Sequence, residues 1–183
     1  MPIRAVMMQS EPWVERLRES VAALDDVLSG QRDDGAEMDV MFGAFCARRL
    51  GEIDAVPRSV TEAAIPVVGF PLPEGSPEPR TSYVLDYNPL TYYYAGAGTP
   101  TEVKAWDLLN WLMHSAYYFD IRTGAEDEPG RITGAAFASD RSRHDRLLHV
   151  ELTQIVTLFS AVADAAKGTR EELLRAARTM PHV

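Results

Sequence analysis

The stretch from Trp106 to Phe159 constrains the fold most, because its apolar spacing switches from a helix period to a strand period and back. Ala105, Leu109, Leu112 and Ala116 recur at helical intervals, and Trp106, Met113 and Tyr117 widen the stripe. Just upstream, Thr99-Pro100-Thr101-Glu102 has the form of a capping box with proline at the first helical position. Together they predict a central helix over 99–117. Tyr118–Arg122 and Ile132–Ser139 then read as two strands of a hairpin around an acidic, glycine-bounded loop. Leu147–Leu152 reads as a third strand. Thr153 should cap a further helix through Ile155, Leu158, Phe159 and Val162. Gly168 should stop it, and Thr169-Arg-Glu-Glu172 should open a short last one.

The chain before this stretch reads as helical. Val14, Leu17, Val21, Leu24 and Leu28 mark one face of an amphipathic helix that starts near Ser10-Glu11-Pro12 and ends at Ser29-Gly30. A second helix is expected from about Asp34 to Leu50, with Met38, Met41, Phe42, Phe45, Cys46 and Leu50 on its apolar side. Cys46 reads there as a small core residue, since no histidine is nearby to activate it. Pro66 argues against a helix in 59–68. Four prolines in 71–79 make a loop of extended character, and Tyr83–Tyr87 reads as a short strand before the Asn88-Pro89 turn.

The fold expected is therefore α+β: a mainly helical single domain over 1–183 with a small, mostly antiparallel sheet of about three strands in 118–152. Within it, a helical part at about 10–69 and a proline-rich loop at 71–79 precede an α+β core over 81–183. A chain of 183 residues buries enough surface to need no disulfide, and one cysteine permits none within the chain. No window reaches the apolar length of a bilayer span, and the start lacks a signal-peptide apolar region. A cytoplasmic location follows as the expectation. Abundant arginine and alanine beside two lysines point to a GC-rich bacterial genome.

The net charge is −9. Residues 1–91 hold eight basic and fifteen acidic side chains, a net of −7, and 92–183 hold ten and twelve, a net of −2. Such a surface repels phosphate backbones, so general nucleic-acid binding is disfavoured.

Candidate chemistry gathers late in the chain. Val103, Asp107, Asn110 and His114 fall on one face of the expected central helix. Asn110 can orient a substrate and His114 can act as a general base. The plainer reading gives both of them backbone partners beside the hairpin. Arg141, Arg143, His144 and Arg146 form the densest basic cluster, able to hold an anion, although Asp140 and Asp145 dilute it. His149 should face away from Leu148 and Val150 on its strand, where it is a further candidate for ligand binding that could approach His114 or His144. Tyr92, Tyr93 and Tyr94 with Trp106 can line a small-molecule pocket, but tyrosines more often pack. No tight metal-ligand spacing occurs, so neither a metal nor another cofactor is expected. P-loop, dinucleotide-binding and serine-hydrolase signatures are also missing. The Asn110–His114 helix resembles in part the helical ribonucleases of the HEPN group. It has no arginine at the offset those enzymes use, so their activity is not implied.

The reading that follows is a non-enzymatic module for protein interaction or binding, acting through an exposed helical face, with a protein partner or a second copy as occupant. The alternative is a hydrolase or nuclease using His114, with the 141–146 loop holding an anion.

Overall fold

The computed structural model describes residues 3–72, 74, 93, 98–123 and 130–179. The expected strand at Tyr83–Tyr87, most of the proline-rich loop, Tyr92, Tyr94 and the acidic hairpin loop lie outside them.

Two long helices open the chain, α1 over Ile3–Ser29 and α2 over Glu37–Glu52. Leu17, Leu24 and Val27 give α1 its buried stripe, at the helical spacing the sequence shows. The helix begins well before Ser10, and Pro12 lies inside it. Gly30, at φ 76°, takes the left-handed conformation that ends α1, and its N–H donates to the Val27 carbonyl. Ahead of α2, Ala36 offers no capping side chain. Both carboxylate oxygens of Asp120 instead stand 3.2 Å from its N–H.

A single turn, α3 (Arg58–Thr61), leads into β1 (Ala64–Pro71). Then come β2 (Thr99–Lys104), α4 (Ala105–Met113), β3 (Ser115–Thr123), β4 (Arg131–Ser139), β5 (Arg146–Glu151) and α5 (Leu152–Thr179). The strands form one five-stranded sheet, antiparallel at every pairing, in the order β2-β1-β5-β4-β3.

This corrects the expected three-stranded, mainly helical fold: β1 and β2 are additional strands, with Pro66 and Pro71 in β1 and Pro100 in β2. Pro100 lies on β2, an edge strand with one side open. Pro66 lies in the half of β1 that pairs with β2 alone, since β5 joins only from Val68 onward. A missing N–H costs no ladder bond where it faces an unpaired side. The helix expected over 99–117 is cut at both ends by strand pairing. Residues 99–104 pair with β1, from Gly69–Thr99 to Ala64–Lys104, and Ser115 already belongs to β3. A capping box contributes about 1 kcal/mol, less than a six-residue strand pairing.

The last helix differs too. α5 starts at Leu152 and runs unbroken through Gly168 and the Thr169 capping box. Glycine inside a helix costs about 1 kcal/mol. Burial of Leu158, Phe159, Val162 and Ala166 on the same helix outweighs that.

The sheet has two unlike faces. On one, Ile65, Val67, Ala135, Phe137, Leu148 and Val150 pack beneath α1, α2, α4 and α5 and form the main core. The register sets Phe137 beside Leu148 and Ala135 beside Val150. On the other, Tyr117, Ala136, Ala138 and Leu147 form a smaller cluster closed by Tyr93. Tyr93 is fully buried, and its hydroxyl donates to the Arg143 carbonyl. The small residues of β4 accommodate a close neighbour: a Cβ on Gly134 would stand 2.5 Å from Nε2 of His149.

Candidate functional site

α4 is short and apolar. Its N-terminus is tied down by the Ala105 N–H, which donates to the Ala63 carbonyl at 2.8 Å. Asp107 in the first turn suits the positive end of the helix dipole. Ala105, Leu108, Leu109 and Leu112 are buried and set its rotation. Asp107, Asn110 and His114 consequently fall along its outer flank, where the helical period groups them. His114 is exposed and sits at the junction with β3.

The end of β4 arrives beside this junction. The Asp140 N–H donates to the His114 carbonyl at 3.2 Å. The chain then turns through a serine pair. The Ser139 N–H donates to Ser142 Oγ at 3.0 Å, and the Ser142 N–H donates back to Ser139 Oγ at 3.2 Å. The result is a cleft of about 510 Å³ between α4, the β4–β5 turn and α2, lined by Asp107, Asn110, Trp111, His114, Asp140 and Arg141, with Arg48 and Ser139.

Asn110, His114 and Arg141 therefore share one open cleft. The rest of the basic cluster disperses. Arg143 donates to Nε2 of His144 at 3.1 Å, and the Arg143 guanidinium lies 3.8 Å from Asp140. Arg146 returns to the helical side, with its guanidinium 5.8 Å from the Trp111 ring and its Nε buried without a partner. His149 faces away from the main core, as its strand position predicts, with Nε2 3.8 Å from Glu151. Among the described residues, no group of histidine, cysteine or carboxylate side chains could hold a metal ion.

Trp106 and Tyr93 do not meet. Tyr93 closes the far face of the sheet, whereas Trp106 packs on Gly51 and lies 5.3 Å beneath the Arg48 guanidinium. Trp106 borders a shallow depression with Asp54, Arg58 and Glu62. There Lys104 donates to Glu62 at 2.5 Å, which raises the lysine pKa and lowers that of the carboxyl.

Within the cleft, Arg48 is held by Glu52 at 3.1 Å as well as by Trp106. Asp107 and Arg141 make no ion pair or side-chain hydrogen bond among the described residues. Asn110 Oδ1 is buried with no donor. Asp107 and Asn110 were legible from helical spacing. Arg48 was not, because it comes from α2 and only the tertiary packing of α2 on α4 delivers it.

A second feature lies on α2. Met38, Phe42 and Phe45, at i, i+4 and i+7, are 77%, 45% and 42% exposed. Phe45 meets Trp13 of α1 edge to face at 5.6 Å and stacks with Phe42 at 6.4 Å. The apolar side expected for α2 is therefore divided: Cys46 and Leu50 are in the core, while Met38, Phe42 and Phe45 face out. Burial pushes the Cys46 thiol up to about 11, as suits a packed residue.

Among the described residues, no helix is long and apolar enough to cross a membrane. Comparison with protein-family models, with curated proteins and with solved structures finds no match for this chain.

Proposed function

We propose that the protein is a non-enzymatic interaction module whose docking face is the Met38–Phe42–Phe45 stripe of α2 with Trp13 beside it, occupied by the same face of a second copy. The observation that carries this is the exposure of three large apolar side chains at i, i+4 and i+7 of one helix. A contiguous patch of a few hundred Å² is the size of the largest apolar patch on a typical monomer, and such patches are often functional. An aromatic side chain presents on the order of 200 Å², so the three contribute roughly 300 Å² of open apolar surface. That is less than half of the ~800 Å² per partner of a standard interface, so association should be reversible and concentration-dependent. Charge favours a self-complementary contact. Arg16 pairs with Glu19 at 2.7 Å beside the stripe, and Arg49 pairs with Glu52 at 3.1 Å at its far end. A two-fold copy thus meets mixed signs rather than a single acidic field.

Sedimentation equilibrium over a concentration series tests the proposal. The chain should show a monomer–dimer equilibrium, and Phe42→Glu should abolish it while leaving the far-UV spectrum unchanged. A strict monomer at every concentration, or a dimer indifferent to Phe42→Glu, overturns it.

The hydrolase reading has one observation in its favour, the meeting of His114, Asn110 and Arg141 in the cleft. Its test is turnover of model phosphodiesters and esters, lost in His114→Ala.

A further inference from the structure

We infer that the cleft beside α4 is a binding site for a short zwitterionic peptide of two or three residues, with its ammonium at Asp107, a peptide group at Asn110 and its carboxylate at Arg141. The inference concerns a different surface from the α2 stripe and holds whether or not the chain dimerises.

Charge comes first. Four ionised side chains line the cleft, two of each sign. Arg48 is already held by Glu52, and Asp140 stands 3.8 Å from Arg143. That leaves Asp107 and Arg141, one of each sign, without a contact ion pair among the described residues, although Asp107 feels the charge of nearby Lys104. A simple anion such as phosphate would answer Arg141 and be repelled by Asp107. A ligand carrying an ammonium and a carboxylate answers both.

Spacing comes second. Asp107 stands in the first turn of α4, and His114 follows its last residue. A helix rises 1.5 Å per residue, so these two positions lie about 10 Å apart along the axis. Arg141 enters at the His114 end, where the Asp140 N–H binds the His114 carbonyl. The two charged side chains therefore leave the backbone at opposite ends of the cleft. An extended peptide covers about 3.5 Å per residue, so two or three residues span the interval and a single amino acid falls short. A cleft of about 510 Å³ has room for such a ligand.

An amide lies between the two charges. Asn110 lines the cleft with its Oδ1 buried and without a donor, a costly state for a polar atom. A turn about its Cβ–Cγ bond exchanges the oxygen and the NH2 group. Whichever half of the amide faces the cleft, a peptide group offers it a partner, a carbonyl for the NH2 group or an N–H for the oxygen. Trp111 supplies an apolar wall for a small side chain.

The test uses the full chain with thermal shift and tryptophan fluorescence as readouts. The probes are Ala-Ala, Ala-Ala-Ala, free alanine, N-acetyl-Ala-Ala amide and inorganic phosphate, each to about 10 mM, because a ligand that prefers the native state raises Tm. The di- and tripeptide should give saturable responses. The capped peptide and phosphate should give none. Asp107→Asn, Arg141→Gln and Asn110→Leu should each weaken dipeptide binding about tenfold or more, with Arg141→Lys recovering part of the loss. Circular dichroism of each variant guards against a fold defect. The assignment fails if no peptide gives a saturable response, if the capped peptide, phosphate or free alanine binds as tightly as the dipeptide, or if the folded variants bind like the parent.

Discussion

The two sides of α2 invert the usual arrangement of size. Its buried side is built from Val40, Gly43, Ala44, Ala47 and Leu50, mostly small, while its open side carries Met38, Phe42 and Phe45. The inner side needs little bulk because its neighbours come close. A Cβ on Gly43 would stand 2.2 Å from the Phe159 ring of α5. The outer side has large rings and no described element over it to bury them. Hydrophobicity alone ranks the outer side as the core. Closeness of approach reverses that ranking, so size matched to a partner's distance is what defines an interior face.

This contrast predicts that substitutions on the inner side change stability and those on the outer side change assembly. The largest effect is expected from Leu50→Ala, which empties a fully buried site and should cost about 3 kcal/mol in urea denaturation. The matching outer substitution, Phe42→Ser, should move monomer stability by less than about 0.5 kcal/mol while weakening self-association. Gly43→Ala comes next. Helix propensity favours alanine by about 1 kcal/mol, but the close approach to the buried Phe159 ring should leave a net loss of about 1–2 kcal/mol. A gain in stability would mean that α2 and α5 can separate freely.

The smallest effect concerns Glu37 at the start of α2. Partial desolvation of the carboxyl, on a residue that as a whole is exposed, and then the neighbouring Asp120 carboxylate raise it above the ordinary value. A raised folded-state pKa means that ionisation works against the fold. The penalty is absent below the unfolded-state pKa and is fully present above the folded-state value. Glu37→Gln should therefore be slightly more stable at neutral pH, by no more than about 0.5 kcal/mol because the residue is largely exposed. The difference should vanish below about pH 4 in thermal melts taken across a pH series.

Periodicity made α1, α2, β3, β4, β5 and the main part of α5 legible, because each of these segments presents its apolar residues at its own structural period. It failed at β1 and β2. Proline is forbidden in a fully paired strand but harmless on an unpaired side, and which side is unpaired depends on strand order rather than on local sequence. It failed again at Thr99–Glu102, where a capping box is locally as good as a strand end, and at Gly168, where long-range burial holds a helix through a residue that would otherwise end it. The site was half legible. The helical spacing grouped Asp107, Asn110 and His114, whereas the entry of Arg141 and the dispersal of Arg143, His144 and Arg146 depend on a serine-paired turn that charge counting cannot reveal.

The carboxylate of Asp120 meets the Ala36 N–H across 84 positions of chain. The front of α2 has no capping side chain of its own, so the partner for that amide is made more than halfway along the sequence. Closing so long a loop is slow compared with coiling a helix. The middle of α2 can therefore form early with its neighbour α1, while its first turn stays frayed until the hairpin docks. In refolding followed by pulsed hydrogen exchange, the Ala36 amide should gain protection together with β3 and after the interior of its own helix.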